Sequence, residues 1–260
     1  MGKFLIVALA EHINEYKAIA YKYGVGFEYN DFYVPDILDS KSKLDTLIDI
    51  YSKVEGLAYN TLHGAFLDVT VFSSDAEIRR ISKLRMRQSL DAARSLGAKA
   101  VVFHTNFNPF ISTREYYAAV VTMTSDYLEE LLRAYPDICI YMENMFEGAP
   151  EVLVDISKRL CQYENYGVCL DYAHASISSA PIEEWVERLH TYVRHLHIND
   201  NDLRHDLHLP IGEGKIDWDR FIDYYNRYFT ACSVLIETTT PKNQVKSIEY
   251  LIDKGIDIAG

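Results

Sequence analysis

The chain has 260 residues, of which 48% are hydrophobic, and its formal net charge is −12. A chain of this size can bury one large core, and α/β barrels of about 250 residues commonly fold as one domain. The negative charge argues against general attraction to nucleic acid, although metal ions held by carboxylates would supply positive charge locally. From the length and the hydrophobic fraction we predict one domain over residues 1–260.

Two further features of the sequence bear on the cellular compartment in which the protein is found. The sequence contains no apolar run of about 20 residues, and its N-terminal segment lacks the long apolar region and cleavage site of a signal peptide. We therefore expect a cytoplasmic protein without a membrane span. The cysteines are far apart and without zinc-site spacing, so we expect buried, reduced thiols. They are Cys139, Cys161, Cys169 and Cys232.

Short β-branched or aromatic runs alternate with longer segments of helical periodicity along the chain. Strands are predicted at Phe4–Ala8, Gly26–Tyr29, Ala58–His63, Ala100–His104, Ile138–Glu143, Gly167–Asp171, Val193–His197 and Val234–Glu237. One helix is predicted after each strand, at Glu15–Tyr23, Lys43–Val54, Ala76–Leu96, Glu115–Tyr135, Glu151–Cys161, Ile182–Tyr192, Asp217–Phe229 and Asn243–Lys254. Eight such units, without a glycine-rich phosphate loop after the first strand, predict an α/β fold that is a single (β/α)₈ TIM barrel.

In a TIM barrel the active site lies at the C-terminal ends of the strands. Polar residues end several of the predicted strands, and they are His63, His104, Glu143 and Asp171. Taken alone, a histidine at a strand end is more often a hydrogen-bonded rim residue than a ligand. A lone carboxylate there is about as often a helix cap as a ligand, so each residue by itself is weak evidence.

The segment Val193–Gly214 is the richest in candidate ligands. His195 and His197 alternate onto one face of a strand, which places His197 at the mouth and His195 one layer deeper, in a structural role beside the metal site. Asp206 and His208 share a face of an extended segment. Asp171 and His174, where the sixth strand turns into a loop, would face the same cavity.

The joint occurrence of these residues is more informative than any one of them. Six of the eight predicted strands end in His, Asp or Glu, and so many buried ionisable groups would repel one another and lose hydration unless cations compensated them. We therefore predict a metal site at the barrel mouth. Its candidate ligands are His63, His104, Glu143, Asp171, His174, His197, Asp206, His208 and Glu237.

These motifs resemble the xylose-isomerase-like TIM barrel superfamily, in the branch that contains endonuclease IV (AP endonuclease family 2) and many sugar isomerases and epimerases. The resemblance covers essentially the whole chain. It rests on His63-Gly-Ala-Phe66, Val102-Phe-His104, Glu143-Asn144, Cys169-Leu-Asp-Tyr-Ala-His174, His197-Ile-Asn-Asp200, Asp206-Leu-His-Leu-Pro-Ile-Gly-Glu-Gly214 and Ile236-Glu237.

The resemblance implies one metal ion held by a quartet that both enzyme types share, namely Glu143, Asp171, His197 and Glu237. The endonuclease branch adds five ligands, which here match His63, His104, His174, Asp206 and His208 and complete a trinuclear zinc cluster. In that cluster Glu143 belongs to two ion sites, and up to three zinc ions bind. Manganese is the alternative metal.

Two activities follow from the resemblance. The first is a metal-dependent phosphoester hydrolase of the endonuclease IV type, in which clustered ions generate hydroxide and neutralise the phosphate. The alternative is a sugar or sugar-phosphate isomerase or epimerase, in which one ion polarises the substrate while Glu143 and Glu237 act as the catalytic residues that move a proton. Sugar epimerases carry a second glutamate six residues after the fifth-strand glutamate, where this chain has Ala149.

The expected substrate is a small sugar or phosphoester rather than abasic DNA. The loop after the second strand, EYNDFYVPDILDS, is acidic and aromatic, whereas the endonuclease presents a basic residue there. Phe66 matches the position of an aromatic side chain that stacks on DNA, but an aromatic ring serves a sugar pocket equally well.

Overall fold

A computed structural model describes residues 3–57 and 59–259. Eight parallel strands close into a barrel in the order of the sequence, which confirms the predicted (β/α)₈ TIM barrel. The first strand pairs with both the second and the eighth, so the sheet has no free edge. The strands are β1 Lys3–Ala8, β2 Gly26–Tyr29, β3 Thr61–His63, β4 Ala100–His104, β5 Cys139–Glu143, β6 Tyr166–Asp171, β7 Val193–Ile198 and β8 Ser233–Ile236.

Helices surround the barrel. They are α1 Ile13–Tyr23, α2 Pro35–Leu38, α3 Lys41–Ser52, α4 Ala76–Leu96, α5 Arg114–Ala134, α6 Glu151–Leu160, α7 Tyr172–Ile177, α8 Ile182–Leu189, α9 Trp218–Tyr224 and α10 Pro241–Asp253. The expectation of one helix per strand is wrong after β2 and after β6, where two helices follow. The segment after β6 forms α7 because the Asp171 side chain accepts a hydrogen bond from the backbone N–H of His174 at 2.7 Å and caps the new helix.

Many predicted boundaries differ from the structure by one to three residues, and Glu237 follows β8 instead of ending it. Strand β3 begins at Thr61, and Ala58, the predicted first residue, lies outside the described residues. The predicted helix Asp217–Phe229 divides into α9 and a π-helical turn over Tyr225–Phe229, which places both of its end residues in the core. Such a turn is an insertion that helical periodicity alone does not reveal.

The main core lies between the barrel and the helices. Helix α4 is typical: Asp75 caps its first turn, Gly97 ends it at φ +67°, and its inner face buries Met86, Leu90 and Ala93. Burial of each large apolar side chain contributes roughly 1.5–3 kcal/mol. Within the described residues, no helix is long and apolar enough to cross a membrane.

The cysteine expectation holds in part. All four cysteines are free. Cys169 and Cys232 are buried and Cys139 is half-buried, but Cys161 is exposed, so the expectation of a buried thiol is wrong there. Cys161 directly follows the buried Leu160 at the end of α6, and the helical rotation between successive residues turns its side chain toward solvent.

Candidate metal centre

Four ligand residues from four strands meet at the barrel mouth and form what we call the inner quartet. They are Glu143, Asp171, His197 and Glu237, and their ligand atoms all lie within 4.8 Å of one another. Glu143 and Asp171 end β5 and β6, His197 lies in β7, and Glu237 directly follows β8. The first three are completely buried. Parallel strands place their C-terminal ends on one face of the barrel, which is why residues distant in sequence converge here.

A second group shares Glu143 and adds His63 and His104, which we call the side pair. The Nε2 atoms of the two rings lie 3.1 Å apart. Oε2 of Glu143 lies 3.2 Å from His104 Nε2 and 3.9 Å from His63 Nε2. These three residues end the neighbouring strands β3, β4 and β5, so adjacent strand ends point their ligand atoms at one position.

The third group, the outer trio, consists of His174, Asp206 and His208. Oδ2 of Asp206 lies 3.3 Å from His174 Nε2 and 3.0 Å from His208 Nε2. His174 lies in α7, and the other two lie on the loop between β7 and α9. His208 has φ +46°, a left-handed conformation that is uncommon outside glycine and tends to occur at functional sites. The structure therefore brings all nine predicted residues to one mouth.

The donor set fits divalent cations. Several buried ligand atoms have no hydrogen-bond partner in the described part of the chain, and they include both carboxylate oxygens of Glu143, Oδ2 of Asp171, Nδ1 of His197 and Oε2 of Glu237. Leaving such atoms unpaired is costly. Zinc–ligand bonds of about 2.0–2.2 Å separate neighbouring ligand atoms by roughly 3–3.6 Å. Most of the separations described above fall in or near that range, so cations of this size would satisfy the orphaned atoms.

Backbone carbonyl groups orient three of the ligand histidines. In each ring Nδ1 lies 3.0 Å from a carbonyl oxygen, which leaves the Nε2 lone pair facing the candidate ions. The three pairs are His63 with Gly64, His174 with Asn144, and His208 with Glu237.

The carboxylates and imidazoles of the three groups shift the pKa values of one another. Burial raises the pKa of Glu237 to about 8 and also raises that of Asp171. Burial acts in the same direction on Glu143, but the imidazoles of His197 and His104 outweigh it and hold the pKa of Glu143 well below its usual range. At the outer trio burial opposes protonation of His208, yet Asp206 raises its pKa to about 10.

Sequence reasoning assigned no role to Glu28, which lies in β2 and is completely buried. Its carboxylate oxygens lie 3.3 Å from Nε2 of His195 and 3.3 Å from Nε2 of His197. Burial alone would raise the pKa of Glu28, but these imidazoles hold it below its usual value. The signal in the sequence was a charged residue within the short apolar strand GFEY.

Asp200 was also missed, and it anchors the loop that carries Asp206 and His208. Its completely buried carboxylate accepts four N–H hydrogen bonds at 2.8–3.1 Å. The donors are the backbone N–H groups of Asn201, Gly212 and Ile216 and the indole N–H of Trp218. A Cβ at Gly214 would collide with this carboxylate, which explains the second glycine of the Gly-Glu-Gly segment.

Glu147 is a third buried carboxyl without a predicted role. It accepts hydrogen bonds from the Thr105 hydroxyl and, at 2.7 Å, from the backbone N–H of Met145. Burial raises its pKa to about 7. The side chain therefore links the loop after β4 to the loop after β5 beside the side pair.

The mouth encloses a cavity of about 290 Å³, which suits a small ligand. It is lined by Asn30, Tyr33, His63, Phe66, His104, Met145, Phe146, His174, Asp206, His208 and Glu237. None of these described lining residues is a lysine or an arginine. Exposed apolar side chains stand on the surrounding loops, and they are Leu67, Phe110, Phe146, Leu203 and Leu207.

Comparison with known proteins supports the same assignment of fold. The chain is 28% identical over 201 residues to the uncharacterized protein MJ1311 of Methanocaldococcus jannaschii, a match that covers 73% of this chain and 68% of the relative. Among solved structures, the TTHB071 protein of Thermus thermophilus, soaked with ZnCl₂, is 21% identical with a TM-score of 0.77 and coverage of 98% and 99%. A D-tagatose 3-epimerase-like protein is 24% identical with a TM-score of 0.77, and the match covers 96% of each chain.

At these sequence identities the solved structures support the barrel fold alone, so the chemistry has to be inferred from the residues of the site. A family model described as xylose isomerase-like TIM barrel matches residues 16–254, which is nearly the whole chain. The closed barrel and the ligand groups at its mouth agree with that match. The chain belongs to the xylose isomerase-like TIM barrel family.

Proposed function

We propose that the chain is a divalent-metal-dependent enzyme that isomerises or epimerises a small sugar or sugar phosphate. The observation that carries this proposal is the inner quartet, where carboxylates and a histidine converge beneath a cavity whose described lining has no lysine or arginine. The names of similar structures, a D-tagatose 3-epimerase-like protein among them, favour the same chemistry. We further propose that residues 1–260 form one domain.

The chain's own groups suit proton transfer at carbon. Glu143 and Glu237 flank His197, whose Nδ1 lies 3.3 Å from Oε1 of the first and 3.6 Å from Oε2 of the second. A carboxylate on each side of the ion site could remove and return a proton without moving the substrate. A bound cation would polarise the substrate carbonyl and its neighbouring hydroxyl. Tyr33 and Phe66 line the cavity and would cover the apolar face of a sugar ring.

Zinc is our first choice of metal, and manganese is the alternative. Histidine nitrogen and carboxylate oxygen ligands suit zinc, and a similar solved structure was soaked with ZnCl₂. The quartet would hold the ion that the sugar chemistry needs. The side pair and the outer trio would bring the number of ions to three.

A phosphoester hydrolase is the second candidate, and a specific observation favours it. The side pair and the outer trio add two ligand groups that a one-ion isomerase does not need, and Glu143 belongs to two of the three groups. Clustered ions with a bridging carboxylate suit phosphate hydrolysis. The substrate would be a small phosphoester, because the described cavity lining offers no lysine or arginine to a nucleic acid.

One experiment separates the two candidates. The chelated protein is reloaded with zinc or manganese, the metal content is measured, and each form is assayed for solvent-deuterium incorporation into a panel of ketoses and for hydrolysis of bis-p-nitrophenyl phosphate. We expect metal-dependent deuterium incorporation at the carbon beside the carbonyl. Hydrolysis without any deuterium exchange would reject the isomerase or epimerase.

The variant His208→Ala sharpens the result, since His208 belongs only to the outer trio. For a one-ion isomerase we expect less than about a 10-fold loss of kcat/KM, because the inner quartet remains complete. For a three-ion hydrolase we expect a loss of roughly 100-fold or more. His205→Ala is the matched control, because His205 lies on the same loop and pairs only with Asp202.

A further inference from the structure

His197 directs a different ring nitrogen at its candidate ion than His63, His174 and His208 do. Its Nδ1, rather than Nε2, points at Glu143 and Glu237 of the inner quartet. Its Nε2 points into the barrel interior, where an oxygen of Glu28 lies 3.3 Å away. The side chains of Glu28, His195 and His197 below the mouth are all completely buried.

Glu28 is itself held in place by a chain of polar groups. Its Oε2 accepts a hydrogen bond from the Thr61 hydroxyl at 2.7 Å and lies 3.3 Å from Nε2 of His195. Nδ1 of His195 lies 2.7 Å from the Ser233 hydroxyl. Each imidazole places its Nε2 3.3 Å from one oxygen of Glu28, and a carboxylate at that distance favours a proton on Nε2.

We propose that Glu28 is a positioning residue of the metal centre, whose carboxylate keeps the His197 proton on Nε2 and thereby presents Nδ1 to the metal ion. The inference deepens the proposed function and rests on its metal ion. Backbone carbonyl oxygens perform the same task for His63, His174 and His208. A charged acceptor makes a stronger hydrogen bond than a neutral carbonyl and makes the ligand nitrogen more basic.

A separate metal site that uses His195 and His197 is less consistent with the geometry. Cys169, His195 and His197 are close enough to hold a metal ion of their own. However, Nε2 of each imidazole already faces an oxygen of Glu28, and Nδ1 of His197 faces the inner quartet. The proximity of the Glu28 carboxylate therefore accounts for the orientation of both rings without another ion.

The first test is the zinc affinity of Glu28→Gln, measured by competition with a chromophoric chelator. The amide keeps the size of the side chain but can accept from only one imidazole with its oxygen. We expect zinc binding at the inner quartet to weaken by about 10- to 100-fold, with binding at the outer trio unchanged. Thr61→Val is the matched control, since it removes one hydrogen bond to Glu28 but keeps the charge, and we expect a smaller loss.

A purely structural role for Glu28 gives a different result. In that case Glu28→Gln lowers the Tm of the metal-free protein while its zinc affinity equals that of the wild type, and the proposal is overturned. If the wild-type chain binds no zinc or manganese at all, the proposed function and this inference both fail. If the wild type binds zinc and Glu28→Gln binds it equally well, only this inference fails.

The second test reads the proton positions in the wild-type chain, and variants serve only to assign its signals. Long-range ¹⁵N–¹H correlation spectra of the zinc-loaded, ¹⁵N-histidine-labelled protein report which ring nitrogen carries the proton, with assignments from single-histidine variants. We expect the proton on Nε2 in His197 and on Nδ1 in His63, His174 and His208. A proton on Nδ1 of His197 contradicts the proposal.

Discussion

The inner quartet and the outer trio use similar ligands but are built differently. Three of the quartet residues lie in strands and the fourth directly follows one, so closure of the barrel fixes all four. In the outer trio, Asp206 and His208 lie on a loop, and their side chains are 20% and 27% exposed against at most 12% in the quartet. The loop keeps its shape through hydrogen bonds to the Asp200 side chain and through an isolated antiparallel bridge between Asp200 and Leu209, outside the strands of the barrel.

This difference in construction predicts how ion binding at each group responds to amino-acid substitutions. Ligands carried by the barrel keep their positions unless the ligand itself is changed or the protein unfolds, although a contacting residue such as Glu28 can still alter their affinity for an ion. Ligands carried by the loop can be lost by changing a residue that touches no ion. A site that combines the two groups can keep one ion firmly while a second binds more weakly, because loops open at lower free energy than core strands.

The largest effect is expected for Glu143→Gln, which removes the carboxylate that the quartet shares with the side pair. We expect zinc affinity to fall more than about 100-fold and turnover to fall by about 10²–10⁴. Zinc raises the Tm of a protein that binds it in the folded state, so we expect that rise to shrink in the variant to the part contributed by the outer trio. Differential scanning calorimetry with and without zinc measures it, and a full zinc-dependent rise in Tm would contradict the assignment of Glu143 as a ligand.

The next largest effect is expected for Asp200→Asn. Its side-chain nitrogen cannot accept from the four N–H donors, so some donors lose their partner in a buried position. We expect a loss of about 4 kcal/mol in the free energy of unfolding, together with weaker zinc binding at the outer trio and unchanged binding at the quartet. Denaturant titration and chelator competition measure the two effects.

Asp202→Asn is the matched control for Asp200→Asn. Asp202 lies on the same loop, and its carboxylate is 33% exposed and bonds only to Arg204 and His205. We expect the free energy of unfolding to change by less than about 1 kcal/mol. Equal losses in both variants would mean that Asp200 has no special role in holding the outer trio.

The smallest effect is expected for Glu147→Gln, and it depends on pH. The folded-state pKa of Glu147 is raised from 4.5 to about 7, so the stability that the protonated carboxyl contributes is fully present below about pH 4.5 and is lost as the pH rises through about 7. Glutamine cannot ionise, so we expect equal stability at pH 4 and a more stable variant at pH 8, by up to about 3 kcal/mol. Denaturant titration at both pH values measures the difference.

The exposed Glu164 provides the control for that pH dependence. We expect Glu164→Gln to follow the wild type at both pH values. A Glu147→Gln variant that is less stable than the wild type at pH 8 would show that the carboxylate form of Glu147 is the stabilising one. In that event the loops after β4 and β5 would resemble the Asp200 loop, with an ionised anchor in each case.

The sequence by itself determined the barrel and the positions of its candidate ligands. Alternation of apolar strands and helices predicts eight units, and the side chains that end β3 to β6 must reach the same face once parallel strands close. That reasoning placed His63, His104, Glu143 and Asp171 correctly at strand ends. It also placed Asp206 and His208 together, because an extended segment puts alternate residues on one side.

Only the tertiary structure decided how these ligands are oriented and supported. The contact of Glu28 with His195 and His197 joins β2 to β7, two strands that are not neighbours in the sheet, so no local pattern reveals it. The four donors to Asp200 include groups up to 18 residues away in the sequence. Residue type and periodicity predict which side chains reach the mouth, whereas supporting partners such as Glu28 come from segments that only the closed barrel brings together.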